Sequence, residues 1–153
     1  MSQLTYHHTQ RAPLCLLLYG LAITFLVLTW VLRHEPVLVW VFPVTGLIVL
    51  VLAASFHHLR VADDGDHLSI SFGPLPIFRR TVRYDEIEQV EVGKTTLLDG
   101  WGIHMSLRGG WVWNLWGWDC VVLRLRNGTL RVGTDDAENL ASFLRERKDN
   151  QIA

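Results

Sequence analysis

The sequence predicts a membrane α-helical hairpin followed by a mainly-β domain of about seven antiparallel strands, capped by a C-terminal α-helix. Three observations predict it. Residues 12–32 and 36–56 are two uncharged apolar runs of 21 residues each, separated only by Arg33-His34-Glu35. Short alternating apolar and polar runs, punctuated by Gly, Pro, Asn and Asp, then fill much of residues 57–133. Residues 135–148 carry apolar side chains at helical spacing behind an acidic start. The chain divides accordingly into an N-terminal tail (1–11), a two-helix transmembrane hairpin (12–56) and a soluble domain (57–153).

Each apolar run has the length of a membrane span, because about 1.5 Å of rise per residue carries such a helix across a hydrocarbon core of roughly 30 Å. The first run holds eight Leu plus Ile23, Phe25, Val27 and Val31, with no Asp, Glu, Lys or Arg. Those side chains together favour insertion by roughly 4–7 kcal/mol. In the second run Pro43 is expected to kink the helix, which neighbouring groups in a membrane accommodate. Trp30 and Trp40 flank the loop and suit the interfacial aromatic belt. A cleavable signal peptide is the rival reading of the first run. Its apolar stretch is too long for one, and no small-residue cleavage site follows.

The short connection makes the spans antiparallel, so both termini share one side. Arg11 and Arg60 lie on that side and Arg33 in the loop, which leans both termini toward the cytoplasm. Cys15 lies within a span and Cys120 in the soluble part, and an unpaired thiol fits a reducing compartment. Neither run holds a charged residue, so an anchor fits better than a transporter or a proton relay. Gly20 and Thr24 make a small-xxx-small pair, a weak signal for helix association.

The soluble part suffices for one small domain. It carries 12 Lys and Arg against 14 Asp and Glu, a net of −2, and no basic patch points to nucleic acid. Strands are expected at 57–62 and 68–72, around the turn Asp63-Asp64-Gly65-Asp66. Leu68, Ile70 and Phe72 alternate there with Ser69 and Ser71. Gly73-Pro74 breaks the chain before strands at 77–84 and 87–92. Strands at 120–126 and 129–133 are joined by Asn127-Gly128, the pair a type I′ turn favours. Asn127-Gly128-Thr129 also spells a glycosylation sequon, but a tight turn is a poor acceptor. Asp135, with Glu138 three residues on, is expected to cap the last helix, whose Ala137, Leu140, Ala141 and Leu144 share one face. Arg145, Arg147 and Lys148 complement its negative end.

Gly100-Trp101-Gly102-Ile103, Trp116-Gly117 and Gly133-Thr134-Asp135-Asp136 carry a resemblance. With the preceding spans, residues 57–148 resemble uncharacterised bacterial membrane proteins in which two spans precede a bacterial pleckstrin-homology-like (PH-like) domain. Such proteins often have Pro where this chain has Ala137, which removes a pre-organised first helical turn without altering the expected fold. The resemblance implies a PH-like barrel at the cytoplasmic face of a bacterial inner membrane, and no established activity.

Candidate chemistry is sparse. Phosphoinositide binding would need Lys and Arg around the first hairpin turn, and here that turn is acidic. The same turn lacks the ligand order of an EF-hand, with Leu75 at the twelfth position from Asp64. His57, His58, His67 and His104 show no metal-ligand spacing. No nucleophile elbow or phosphate loop is present, and Asp85, Glu86, Glu88 and Glu91 read as a solvated face. Neither a catalytic residue nor a cofactor or metal is expected. Arg79, Arg80 and Arg83 are candidate contacts for anionic headgroups, Arg79 and Arg83 on one strand face and Arg80 on the other; a solvated edge is the plainer reading.

Trp101, Trp111, Trp113, Trp116 and Trp118 are the candidate interaction surface. In an extended 111–118, Trp111 and Trp113 face one way, Trp116 and Trp118 the other. One pair can fill the core, leaving the other for the membrane interface, the spans or a partner; the alternative is a twisted hairpin that buries both faces. The expected function is a membrane-tethered, non-enzymatic interaction or scaffold module. The expected partners are the lipid bilayer and a membrane protein or second copy, and nucleic acid is not among them. The alternatives are a small subunit of a larger membrane complex, or a protein that binds or modifies a lipid or small molecule.

Overall fold

The computed structural model describes residues 5–75, 77–96 and 99–152. Among these the chain forms three helices and two sheets, of four and five strands. The order is β1 (His7–Arg11), α1 (Leu14–Val31), α2 (Leu38–Ser55), β2 (His58–Asp63), β3 (His67–Phe72), β4 (Arg79–Arg83), β5 (Ile87–Lys94), β6 (Gly102–Met105), β7 (Trp111–Asn114), β8 (Asp119–Leu125), β9 (Gly128–Gly133) and α3 (Ala137–Ile152). The first sheet runs β1-β2-β3-β4 and the second β5-β8-β9-β7-β6.

α1 and α2 are 18 residues each, shorter than the apolar runs that contain them. Pro13 occupies the N-cap position of α1, where the absent N–H costs nothing, and the run's first residues complete the turn out of β1. The helices meet through small residues. Ala22 and Ala53 are fully buried, and Gly46 lets α2 approach Ala22 and Phe25. Gly20 has nothing near it and takes no part in this contact. Most of both helices' circumference remains exposed, with Leu16, Leu17, Ile23, Trp30 and Trp40 each 60% exposed or more. Thr24, Thr29 and Thr45 donate to carbonyls one turn back, so their hydroxyls are satisfied locally. By length and composition, α2 is apolar enough to cross a membrane, and Cys15–Val31 is a shorter apolar helix.

The tail expected at 1–11 is instead structured in part. His7–Arg11 pairs antiparallel with β2, with Arg11 opposite His58. No alternation of apolar residues announces this strand, because its one buried member is Gln10, whose side-chain amide donates to Trp116 O. The helix pair is therefore inserted between two adjacent strands of one sheet. Two residues join β1 to α1, and two join α2 to β2.

Strand positions follow the alternation. Leu59, Val61, Leu68, Ile70, Phe72 and Val82 face inward from the first sheet, meeting Trp113, Val121, Leu123, Leu130 and Val132 from the second. The pattern exceeds the expected seven strands, and it is not wholly antiparallel: β7 runs parallel to β9. The extended 111–118 segment also breaks after Asn114. At the β8–β9 hairpin the chain reverses over Arg126-Asn127, and only Gly128 takes a positive φ (134°). Asn127 does not, so the expected type I′ turn is not formed.

α3 closes the core with Ala137, Leu140, Ala141, Phe143 and Leu144, all buried. Each large apolar side chain there contributes about 1.5–3 kcal/mol. Asp136 directly precedes the helix, while Asp135, the expected cap, instead pairs with His8 at 2.6 Å. Tyr6 donates to Asp136 at 2.9 Å and lies against Phe143, so the N-terminal segment is pinned to α3. At the other end of α3, Arg147 reaches Asp63 at 2.6 Å, beneath which the Tyr84 hydroxyl donates to the same carboxylate at 2.7 Å. Burial, then the bond to Asp63, raises the Tyr84 phenol far above its ordinary range. Arg145 and Lys148 donate to Val90 O and Glu88 O on β5, which covers that sheet edge.

Gly73 is where the β3–β4 loop meets α2. Its φ is +63°, and an added Cβ would overlap the carbonyl oxygens of Ser55 and Ala54. Gly73→Ala is expected to cost about 2 kcal/mol, from left-handed backbone plus displacement of the loop. Urea unfolding of the detergent-solubilised chain measures it; an unchanged midpoint contradicts this close packing.

Candidate functional site

Two regions flank the junction between the helices and the sheets. The first is the outward face of the first sheet. Residues opposite one another across a sheet share a face, so the register aligns Thr9, Arg60, Ser71 and Arg79 in one row across four strands. The next row toward the helices carries Arg11 and His58. A depression of about 260 Å³ lies over the longer row, lined by Arg60, Ser69, Ser71 and Arg79, with Asp64 at its far side. Arg79 approaches Asp64 at 3.6 Å. Burial, followed by the neighbouring His57, Arg11 and Arg60, holds the His58 imidazole below its ordinary pKa. The rim nearest the helices is thus cationic.

The three arginines singled out from sequence do not form one cluster. Arg79 belongs to the row just described. Arg83, on the same face, is held by Asp85 through two bonds of 3.0 and 3.1 Å. Arg80 points to the opposite face and lines a cleft of about 550 Å³ with Glu86, Arg108 and Trp111. Arg11 and Arg60 went unrecognised as partners of Arg79, because the register that aligns them depends on β1.

The second region is a cleft of about 240 Å³ where the helices meet the second sheet, lined by Leu18, Leu52, Phe56, Trp101, Gly102 and Leu115. Trp101 stacks on Trp116 with ring centroids 4.3 Å apart, and both Gly100 and Gly102 take positive φ to place it. The five tryptophans do not share a surface. Trp113 is a core residue, 7% exposed, with its ring 5.7 Å from Phe72. Trp111, on the same strand, sits at the opposite end of β7 and lines the 550 Å³ cleft. Trp118 is about half exposed. Trp111 and Trp113 keep one parity on β7, yet only Trp113 is buried; Trp116 and Trp118 do not continue an extended segment, because the strand ends at Asn114.

Asp99 organises the loop that carries Trp101. Its side chain is 2% exposed and accepts from Ser106 Oγ at 2.5 Å, from Thr96 N and Oγ1 at 3.0 and 2.9 Å, and from Arg108. Burial alone would raise its pKa; the donors outweigh it and hold the carboxyl well below its usual range. Asn114 adds bonds to Gly100 O and Gly117 O, tying the two ends of the Trp-rich stretch together. Among the described residues no three His, Cys, Asp or Glu side chains gather as metal ligands. Comparison with models of protein families, with curated proteins and with solved structures finds no match.

Proposed function

We propose that this chain is an integral membrane protein whose α1 and α2 cross a bacterial inner membrane, holding a PH-like domain at its cytoplasmic face as a non-enzymatic interaction module. The observation that carries this reading is the insertion of the helix pair between β1 and β2. Arg11 and His58 face each other in the sheet, so both helices leave the domain from one point. Their apolar side chains face outward around most of the circumference, which lipid accommodates and water does not. Two sheets closed by a C-terminal helix support the PH-like plan, and the parallel β7–β9 pair is a departure from it. The joins of two residues leave the domain no free tether, so a partner in the same membrane is met at high effective concentration.

Alkaline carbonate extraction of membranes tests the anchor. The full chain is expected in the pellet, and reporters fused at either terminus are expected to read cytoplasmic. Release into the supernatant contradicts the reading. A second reading, binding of an apolar ligand or lipid, is favoured by the 240 Å³ cleft beside Trp101.

A further inference from the structure

The β3–β4 loop is apolar where a solvent loop would be polar. Its sequence is Gly73-Pro74-Leu75-Pro76-Ile77-Phe78. The loop is closed at its base, where Phe72 N–H donates to Phe78 O at 3.0 Å, and Ile77 N–H donates to Leu75 O at 2.8 Å. Gly73 abuts the last carbonyls of α2, and Phe78 lies against Phe56, the residue directly after α2, with centroids 5.6 Å apart. These contacts fix the loop beside the helix end. Leu75 and Ile77 nevertheless remain 46% and 58% exposed. Two large apolar side chains on a braced loop thus leave about half of their surface uncovered.

Charge says what covers them. Arg79 follows the loop directly and stands in the row with Arg60, and Arg11 stands in the row between them and the helices. Asp64 is, among the described residues, the one acid that pairs with Arg79, at 3.6 Å. Among the described residues, Arg11 and Arg60 have no acidic side chain within ion-pairing distance. Asp64 and Asp66 lie in the β2–β3 turn at the opposite end of this sheet, and Asp63, the last residue of β2, is buried against Arg147. An apolar tip beside a cationic rim, continuous with exposed apolar helices, matches a lipid surface carrying negative headgroups.

We infer that the β3–β4 loop is a further membrane contact: Leu75 and Ile77 insert into the interfacial layer beside α2, and Arg60 and Arg79 meet anionic phospholipid headgroups. The contact rests on the membrane placement proposed above. It adds a third point of attachment to the two helices, so the domain is held in one orientation and presents a constant face to the cytoplasm. The hydroxyl of Ser71, between the two arginines, supplies a further donor to a phosphate.

Both native cysteines are buried, so a thiol-reactive, polarity-sensitive fluorophore labels an introduced cysteine selectively. The full chain carrying Ile77→Cys or Asn127→Cys is reconstituted into vesicles of phosphatidylcholine, alone or with phosphatidylglycerol, containing lipids with a shallow nitroxide quencher. Asn127 is the reference, because its hairpin precedes Leu130, which pairs with Trp111 at the end of β7 remote from the helices. The label at 77 is expected to shift to the blue and to be quenched several-fold more than that at 127. Quenching is expected to increase with phosphatidylglycerol, and Arg60→Gln with Arg79→Gln removes that increase. Equal, water-like emission at 77 and 127 in a chain that resists carbonate overturns the loop contact and leaves the anchor standing. Equal quenching with and without phosphatidylglycerol overturns the assignment to anionic lipid. Release of the chain by carbonate overturns both the contact and the placement beneath it.

Discussion

Arg147→Met is expected to destabilise the fold by about 3–5 kcal/mol, the range for stripping one partner from a buried ion pair. The Asp63 side chain is 1% exposed and faces Arg147 at 2.6 Å. Tyr84 and the Gly65 amide complete its shell, at 2.7 and 3.0 Å. Met keeps apolar packing against the Tyr84 and Phe143 rings, so the loss reports the guanidinium's charge, mainly toward Asp63 and in part toward those rings. The Asp63 carboxylate would then sit in the domain without its counter-ion. Removing both charges, with Asp63→Leu added, is expected to recover much of the loss, because the buried charge goes too. Urea unfolding of the detergent-solubilised chain, followed by tryptophan fluorescence, measures each variant. A loss below about 1 kcal/mol for Arg147→Met, as exposed pairs give, contradicts the assignment. The consequence reaches beyond stability, since Arg147 locks α3 over the turn between β2 and β3.

Asp99→Ala is expected to cost about 3 kcal/mol, and to loosen the Trp101–Trp116 stack before the core unfolds. Four donors converge on this carboxylate, and Arg108 among them would be left without its acid. The pH dependence follows from the sign of the shift. The folded-state pKa lies below the unfolded value of 3.8, so the stabilisation is complete above that value. It is lost as pH falls below about 4, where the unfolded chain takes up the proton first. The native chain should show a fluorescence change on acidification below pH 4 that Asp99→Asn lacks. An identical acid response in both contradicts the role given to this group. Because the loop forms one wall of the apolar cleft, the same substitution is expected to open that cleft.

The alternation of Leu68, Ile70 and Phe72 marks a strand wherever it pairs, and the structure places all three in the core. The face of α3 is equally legible, since a spacing of three and four residues can bury only one stripe. Hidden from such reading is anything that depends on a distant partner. β1 has no apolar rhythm; its pairing with β2 is set by the return of the chain after both helices. Trp111 and Trp113 have the same parity on one strand, yet only Trp113 lies across from Phe72. Asp99 and Asp63 look like solvated acids in sequence, and their donors come from positions up to 84 residues away.

Local patterning by itself determined the two apolar helices, most strand positions and the buried face of the last helix, because those follow from periodicities that a few neighbouring residues carry. Only the tertiary structure decided that the helix pair interrupts a sheet, that Arg11, Arg60 and Arg79 share one rim, and that Gly73 and Phe78 meet the end of α2. Those are matters of register between strands far apart in the chain, and register is settled by the competition of whole faces for one core.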